Sequence, residues 1–136
     1  MNVVVVRLKY HDLLKESIEK ICIEKDIQAG VIISSVGSLV KARIRKAGAK
    51  KIEEINQDLE IVSLNGTVSK KRVHLHICVS DENLNTYGGH LEYGCVVNST
   101  CELAILILDK YKFDKYYDES TGYNELLIKD ISEDEK

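Results

Sequence analysis

Residues 73–94 read VHLHICVSDENLNTYGGHLEYG. The stretch opens with strict alternation. Val73, Leu75, Ile77 and Val79 fall on one side of an extended chain, and His74, His76 and Cys78 on the other, because successive strand side chains point to opposite faces. One side suits a core and the other suits chemistry. A turn-rich run, DENLNTYGG, follows, and His90 stands directly behind its Gly-Gly pair. Three of the chain's 4 histidines therefore lie in this one window.

Outward from it the pattern is mostly of strands. Residues 2–9 form a β-branched strand. A helix is expected from Asp12, as N-cap, to about Lys25, with Leu14, Ile18, Ile21 and Cys22 on one face. AGVIISSVGSLVKARIR (29–45) reads as a strand, a Ser/Gly break and a second strand in which Val40, Ala42 and Ile44 alternate with Lys41, Arg43 and Arg45. Residues 46–58 read as a loop, and Leu59–Asn65 as a strand ending in an Asn65-Gly66 hairpin turn. Thr67–Ser80 then returns. GHLEYGCVV and STCELAILIL are two further strands joined across Asn98-Ser99, and a last strand is expected over Glu125–Ile128. Hairpin-connected strands with little helix predict an α+β fold: one compact domain over 1–130, with a largely antiparallel central sheet flanked by a few helices and a frayed acidic tail at 131–136.

Composition bounds the function. A chain of 136 residues, 44% hydrophobic and 30% charged, is of soluble globular class. No apolar run reaches the roughly 18 residues of a membrane span, and the first residues do not resemble a secretory signal. Cys22, Cys78, Cys95 and Cys101 show no CxxC spacing, so reduced thiols and a cytoplasmic location are expected. The net charge of −3 opposes non-specific nucleic-acid binding by the whole surface. Residues 41–51 nonetheless hold Lys41, Arg43, Arg45, Lys46, Lys50 and Lys51 without an acid, and 70–72 add KKR. That stretch is either a solvated strand face or a polyanion-binding patch.

Two accounts of the histidines stay open. His74 and His76, two apart on a strand, point the same way, about 6–7 Å apart. His90, returning on a neighbouring strand, would complete a three-nitrogen set for zinc with one position left for water. Gly88 and Gly89 would permit a positive φ or a close backbone approach there. Glu92 shares the face of His90, as a fourth ligand or as a carboxylate backing it. Alternatively all three rings are hydrogen-bonded sheet residues. His11 reads as a surface residue or cap. Metal-assisted hydrolysis is chemically open, although the chain has neither GxSxG nor a phosphate-binding glycine loop.

The order of GVIISSVGSL, LEIVSLNGTVS and HLHICVSDENLNTYGGHLEYGCVVNSTCELAILIL resembles the plants and prokaryotes conserved (PPC) domain family, over roughly residues 3–127. The resemblance implies a compact α+β domain, a homotrimer, and a metal at His74, His76 and His90. It also implies association with DNA, which in plant members comes from AT-hooks. An AT-hook needs proline, and this sequence has none. The first expectation is thus a cytoplasmic, trimeric DNA-binding or regulatory module with a three-histidine zinc site. The rival is an enzyme or small-ligand binder that uses the metal at a subunit boundary, and a third option is a metal that only stiffens the assembly.

Overall fold

The apolar alternation is realised almost entirely as strand. The computed structural model describes residues 2–132. Its elements run β1 (Asn2–Lys9), α1 (Leu14–Glu24), β2 (Gly30–Arg45), β3 (Ile52–Ile55), β4 (Leu59–Val68), β5 (Val73–Ser80), β6 (Thr86–Leu91), β7 (Val96–Ile107), β8 (Tyr111–Asp118) and β9 (Tyr123–Asp130). The expected α+β class and antiparallel sheet hold, with a single α-helix among the described residues rather than a few. The anticipated acidic end at 133–136 lies outside the described residues.

The main sheet has 7 strands in the order β1-β7-β2-β4-β5-β6, with β3 beside β2. The long β2 is its spine. It pairs with β7 over Gly30–Lys41 and with β4 at Gly30–Val31 and Ser38–Leu39. Its last residues pair with β3 on one side and β6 on the other. Because β6 also pairs with β5, and β5 with β4, the set β2-β4-β5-β6 closes on itself. Leu39, Ile44, Leu59, Leu75, Ile77, Val79 and Leu91 pack in one core, joined by Leu14, Ile18 and Cys22 from α1. The β8–β9 hairpin is a separate two-stranded sheet. Phe113 N–H donates to the Gln28 carbonyl at 2.9 Å, and Lys71 meets Asp114 at 2.9 Å, which ties the hairpin to the body.

Several local readings are corrected by long-range pairing. The Ser/Gly stretch in 29–45 does not interrupt β2; it is absorbed as register irregularities at Ile32/Ser34, Gly37/Leu39 and Leu39/Lys41, bulges that bend a strand without ending it. Asn65-Gly66 lies inside β4 and is no turn. A Cβ on Gly66 would stand 2.0 Å from the His74 carbonyl oxygen, so the glycine serves a close strand approach. The turn falls at 69–72, where Ser69 Oγ accepts the N–H groups of Lys71 and Arg72 at 3.3 and 3.2 Å. Likewise β7 runs unbroken through Asn98-Ser99, and the expected loop at 46–58 contains β3. Asp12 caps no helix: its Oδ2 accepts the Lys9 N–H at 2.8 Å, and Leu13 occupies the N-cap without a side-chain bond.

The closing strand β6 is the tightest fit. A Cβ on Gly89 would lie 2.7 Å from both the Arg45 carbonyl oxygen and Ile44 Cγ2. Gly89→Ala is expected to cost about 1–3 kcal/mol, the usual range for an overpacked methyl, as a lower urea midpoint at unchanged slope. A wild-type midpoint would show that β6 has room to spare.

Candidate metal centre

The strand register assembles the site. Asn65 pairs with His76, His76 with His90, and His90 with Arg45, so a single cross-strand row runs over β4, β5, β6 and β2. Neighbouring strands are about 4.8 Å apart, which sets the spacing of the row. His74 stands two residues from His76 on the same face of β5. The ring centroids are 5.3 Å apart for His74–His76, 5.2 Å for His74–His90 and 5.8 Å for His76–His90. One nitrogen from each ring lies within 4.8 Å of the others. Gly88 and Gly89 act through close approach and not through positive φ.

The donor chemistry fits a transition ion. His90 Nδ1 is buried with no hydrogen-bond partner, and an orphaned acceptor in a protein interior is costly unless something binds it. Burial, followed by the charges of Arg45 and Lys15, pushes His90 down to about 4. Burial and the Arg72 guanidinium also lower His74. Neutral imidazole is the ligating form. Tetrahedral zinc nitrogens stand about 3.3 Å apart, from bonds of about 2.05 Å, so the three rings need only tilt inward. Glu92 Oε1 lies 3.9 Å from His90 Nε2 and 3.9 Å from Arg45 Nη1, and Glu92 is not one of the three residues whose ligand atoms cluster.

Beside His74 and His90 is a cleft of about 260 Å³ lined also by Lys15, Arg45, Arg72, Val73 and the β9 residues Tyr123, Asn124 and Glu125, whereas His76 faces a second hollow next to Asn65, Gly66 and Thr67. Arg72 Nη2 sits 3.2 Å from His74 Nδ1 and 3.8 Å from Glu125 Oε1. The basic stretch of β2 behaves otherwise. Lys41 and Arg43 meet Glu54 at 3.3 and 3.5 Å, and Lys46 meets Glu53 at 3.2 Å, all on β3. Lys50 and Lys51 are exposed in the turn before β3.

The sequence profile of the Plants and Prokaryotes Conserved (PCC) domain matches residues 1–109. The chain belongs to that family. Among solved structures, the PCC fold here superimposes on a hypothetical protein from Salmonella enterica with TM-score 0.91 and 30% identity, covering 95% of this chain and 94% of that one. A protein from Archaeoglobus fulgidus described as metal-containing gives 0.78 and 30%, over 93% and 94% of the two chains. A protein from Bacteroides thetaiotaomicron, provisionally described as DNA-binding, gives 0.83 and 23%, over 93% and 91%. The bifunctional protein GlmU of a Synechococcus strain is 36% identical over 121 residues, which is 89% of this chain and 19% of GlmU. The PCC chain thus spans about a fifth of the length of the curated relatives that it matches.

Sequence reasoning brought the three histidines together correctly but missed Lys15, Arg72 and the β9 wall. Lys15 was visible in principle: it stands at i to Ile18 (i+3) and Cys22 (i+7), a charge on the apolar stripe of the helix. Arg72 and Glu125 meet across 3.8 Å between segments distant in sequence, and no local signal announces that contact.

The lowered His90 gives the metal-free PCC domain a pH signature. Its folded value of about 4 lies below the ordinary 6.5, so between the two the unfolded chain binds more protons and stability falls as pH drops. The urea midpoint of chelator-treated protein is expected to hold above pH 7 and decline from about 6.5 towards 4. His90→Gln should flatten that decline, and an equally steep decline in the variant would remove His90 as its cause.

Proposed function

We propose that this PCC domain is a metal-binding module that holds one divalent transition ion at His74, His76 and His90. The observation that carries the reading is the meeting of three ligand nitrogens within 4.8 Å around a buried, unpartnered His90 Nδ1. Zinc is the first choice for an all-imidazole set, and iron, nickel or copper suit it too. When bound, such an ion supplies Lewis acidity to one oxygen ligand in its open position. The chain's own residues orient the rings and surround that position with positive charge. The A. fulgidus relative, described as metal-containing, supports the reading. The rival use of the same centre, by an enzyme or small-ligand binder, turns on what enters the cleft.

The assembly is read as a homotrimer. An apolar strip crosses β1, β7 and β2 on the face away from the core. It includes Val5, Ile33 and Val36, which are 75%, 51% and 59% exposed, and register places Ala104 beside Val5 and Leu106 between Val3 and Val31. An exposed patch of this kind marks an association surface, and a closed ring of heterologous contacts accommodates three copies. The free thiols of Cys22, Cys78, Cys95 and Cys101 suit a reducing compartment, hence the cytoplasm. Among the described residues no helix is long and apolar enough to cross a membrane.

DNA binding is the second reading. The Bacteroides relative, at 23% identity, carries the fold to this chain and no more. Local support is the stretch of Lys41, Arg43, Arg45, Lys46, Lys50 and Lys51. Four of the six face carboxylates of Glu53, Glu54 or Glu92, which halves the field that phosphates would meet.

Elemental analysis of untagged protein should give about one metal per chain, and none in His74→Ala/His76→Ala; light scattering should report three chains. Metal-free wild type after zinc supply would end the metal reading. Duplex binding should be weak near physiological salt and change less than about twofold in Lys41→Ala/Arg43→Ala/Arg45→Ala. Tight binding that falls steeply with salt and is lost in that variant would put DNA first.

A further inference from the structure

Lys15 is an anomaly that neither packing nor the metal explains. It is only 7% exposed, yet among the described residues no carboxylate or hydrogen-bond acceptor is recorded against its ammonium. The group sits 4.4 Å from the centroid of the Tyr93 ring. The Tyr93 hydroxyl is already committed to Glu19 Oε1 at 2.5 Å. Lys15 also lies in the first turn of α1, where the helix dipole disfavours a cation. An ammonium on a largely buried stem, opening onto a cleft from that position, is stabilised by an anion that joins it.

Its surroundings extend the anomaly. Lys15 lines the cleft of about 260 Å³ together with Arg45 and Arg72. The two carboxylates there stand off: Glu92 is 3.9 Å from Arg45 and Glu125 is 3.8 Å from Arg72, both beyond hydrogen-bond length. Three cations thus line the cleft beside His74 and His90, and only Arg72 spends a donor there, on His74 Nδ1 at 3.2 Å.

We propose that this cleft binds a small oxyanion, a carboxylate or phosphate group, held by Lys15, Arg45 and Arg72 beside the open position of the three-histidine centre. The last clause rests on the metal reading, whereas the cation cleft stands without it. Guanidinium forks pair bidentately with both kinds of oxyanion, and a cleft of about 260 Å³ has room for a small anion.

Arg72 couples the two ligands. A guanidinium cannot accept a hydrogen bond, so its 3.2 Å contact requires a lone pair on His74 Nδ1. If His74 ligates through Nδ1, Arg72 is displaced. If it ligates through Nε2, Nδ1 carries the proton and repels Arg72. In both cases metal loading frees Arg72 for the oxyanion, and metal and anion strengthen each other's binding.

The test titrates zinc alone first, and then methylphosphonate and succinate separately into chelator-treated and zinc-loaded protein by calorimetry. At least one anion should bind in both states, and several-fold tighter with zinc. A preference for methylphosphonate identifies a phosphate source, and a preference for succinate a carboxylate. Lys15→Met should lose about tenfold or more in anion affinity, the scale of one charge-assisted contact. Its metal-free form should melt above wild type, because the unpaired charge is gone; a purely structural lysine would lower the melting point. Should Lys15→Met not fold, Arg72→Gln carries the same affinity comparison. Failure of both anions in both states, or wild-type affinity in the variant, overturns the proposal. Zinc binding without anion binding would leave the metal reading standing alone, and anion binding without zinc would leave the cleft.

Discussion

Everything at the candidate centre depends on how closely β6 is pressed between β5 and the end of β2. Gly89 leaves the Arg45 carbonyl no room for a side chain, and this contact closes the β2-β4-β5-β6 circuit. Closure has two consequences at once. On the inner face it completes the burial of Ile44, Ile77 and Leu91. On the outer face it sets His90 between His76 and Arg45. Core formation and the placement of the imidazoles are thus one event, so a cluster drawn from two strands, β5 and β6, arises from ordinary sheet pairing.

The electrostatics of that outer face run against local stability. A lysine is buried in a helix's first turn, burial and nearby cations disfavour the charged form of two histidines, and one ring nitrogen has no partner. A fold under selection for stability alone would fill such a place with apolar side chains. Unfavourable groups gathered at one spot, in a body whose core is mostly apolar, mark a candidate binding site.

The sequence made the strand faces legible because alternation is a local property. Val73, Leu75, Ile77 and Val79 went inward and His74 and His76 outward, as their spacing demanded. What misled was turn chemistry. Asn65-Gly66 and the Ser34–Ser38 region carry residues that favour turns, but tertiary pairing used the glycines for close backbone approach and kept both strands continuous. Glu53 and Glu54 looked like loop acids until β3 paired with β2 and set them against Lys41, Arg43 and Lys46. The histidine triad was readable since its members share a motif-sized window. The cations around it were not, since Lys15, Arg45 and Arg72 come from three elements whose juxtaposition only the closed sheet creates.

The hairpin of β8 and β9 has a bearing on how such sites diverge. The family profile ends at residue 109, before β8 begins, yet Tyr123, Asn124 and Glu125 wall the cleft. The clustered imidazoles and the wall beside them therefore belong to separately replaceable parts of the chain. Exchange of the hairpin would recut the pocket for a different guest while the imidazoles on β5 and β6 stayed where they are. Selectivity and chemistry can then drift at different speeds within a single small domain.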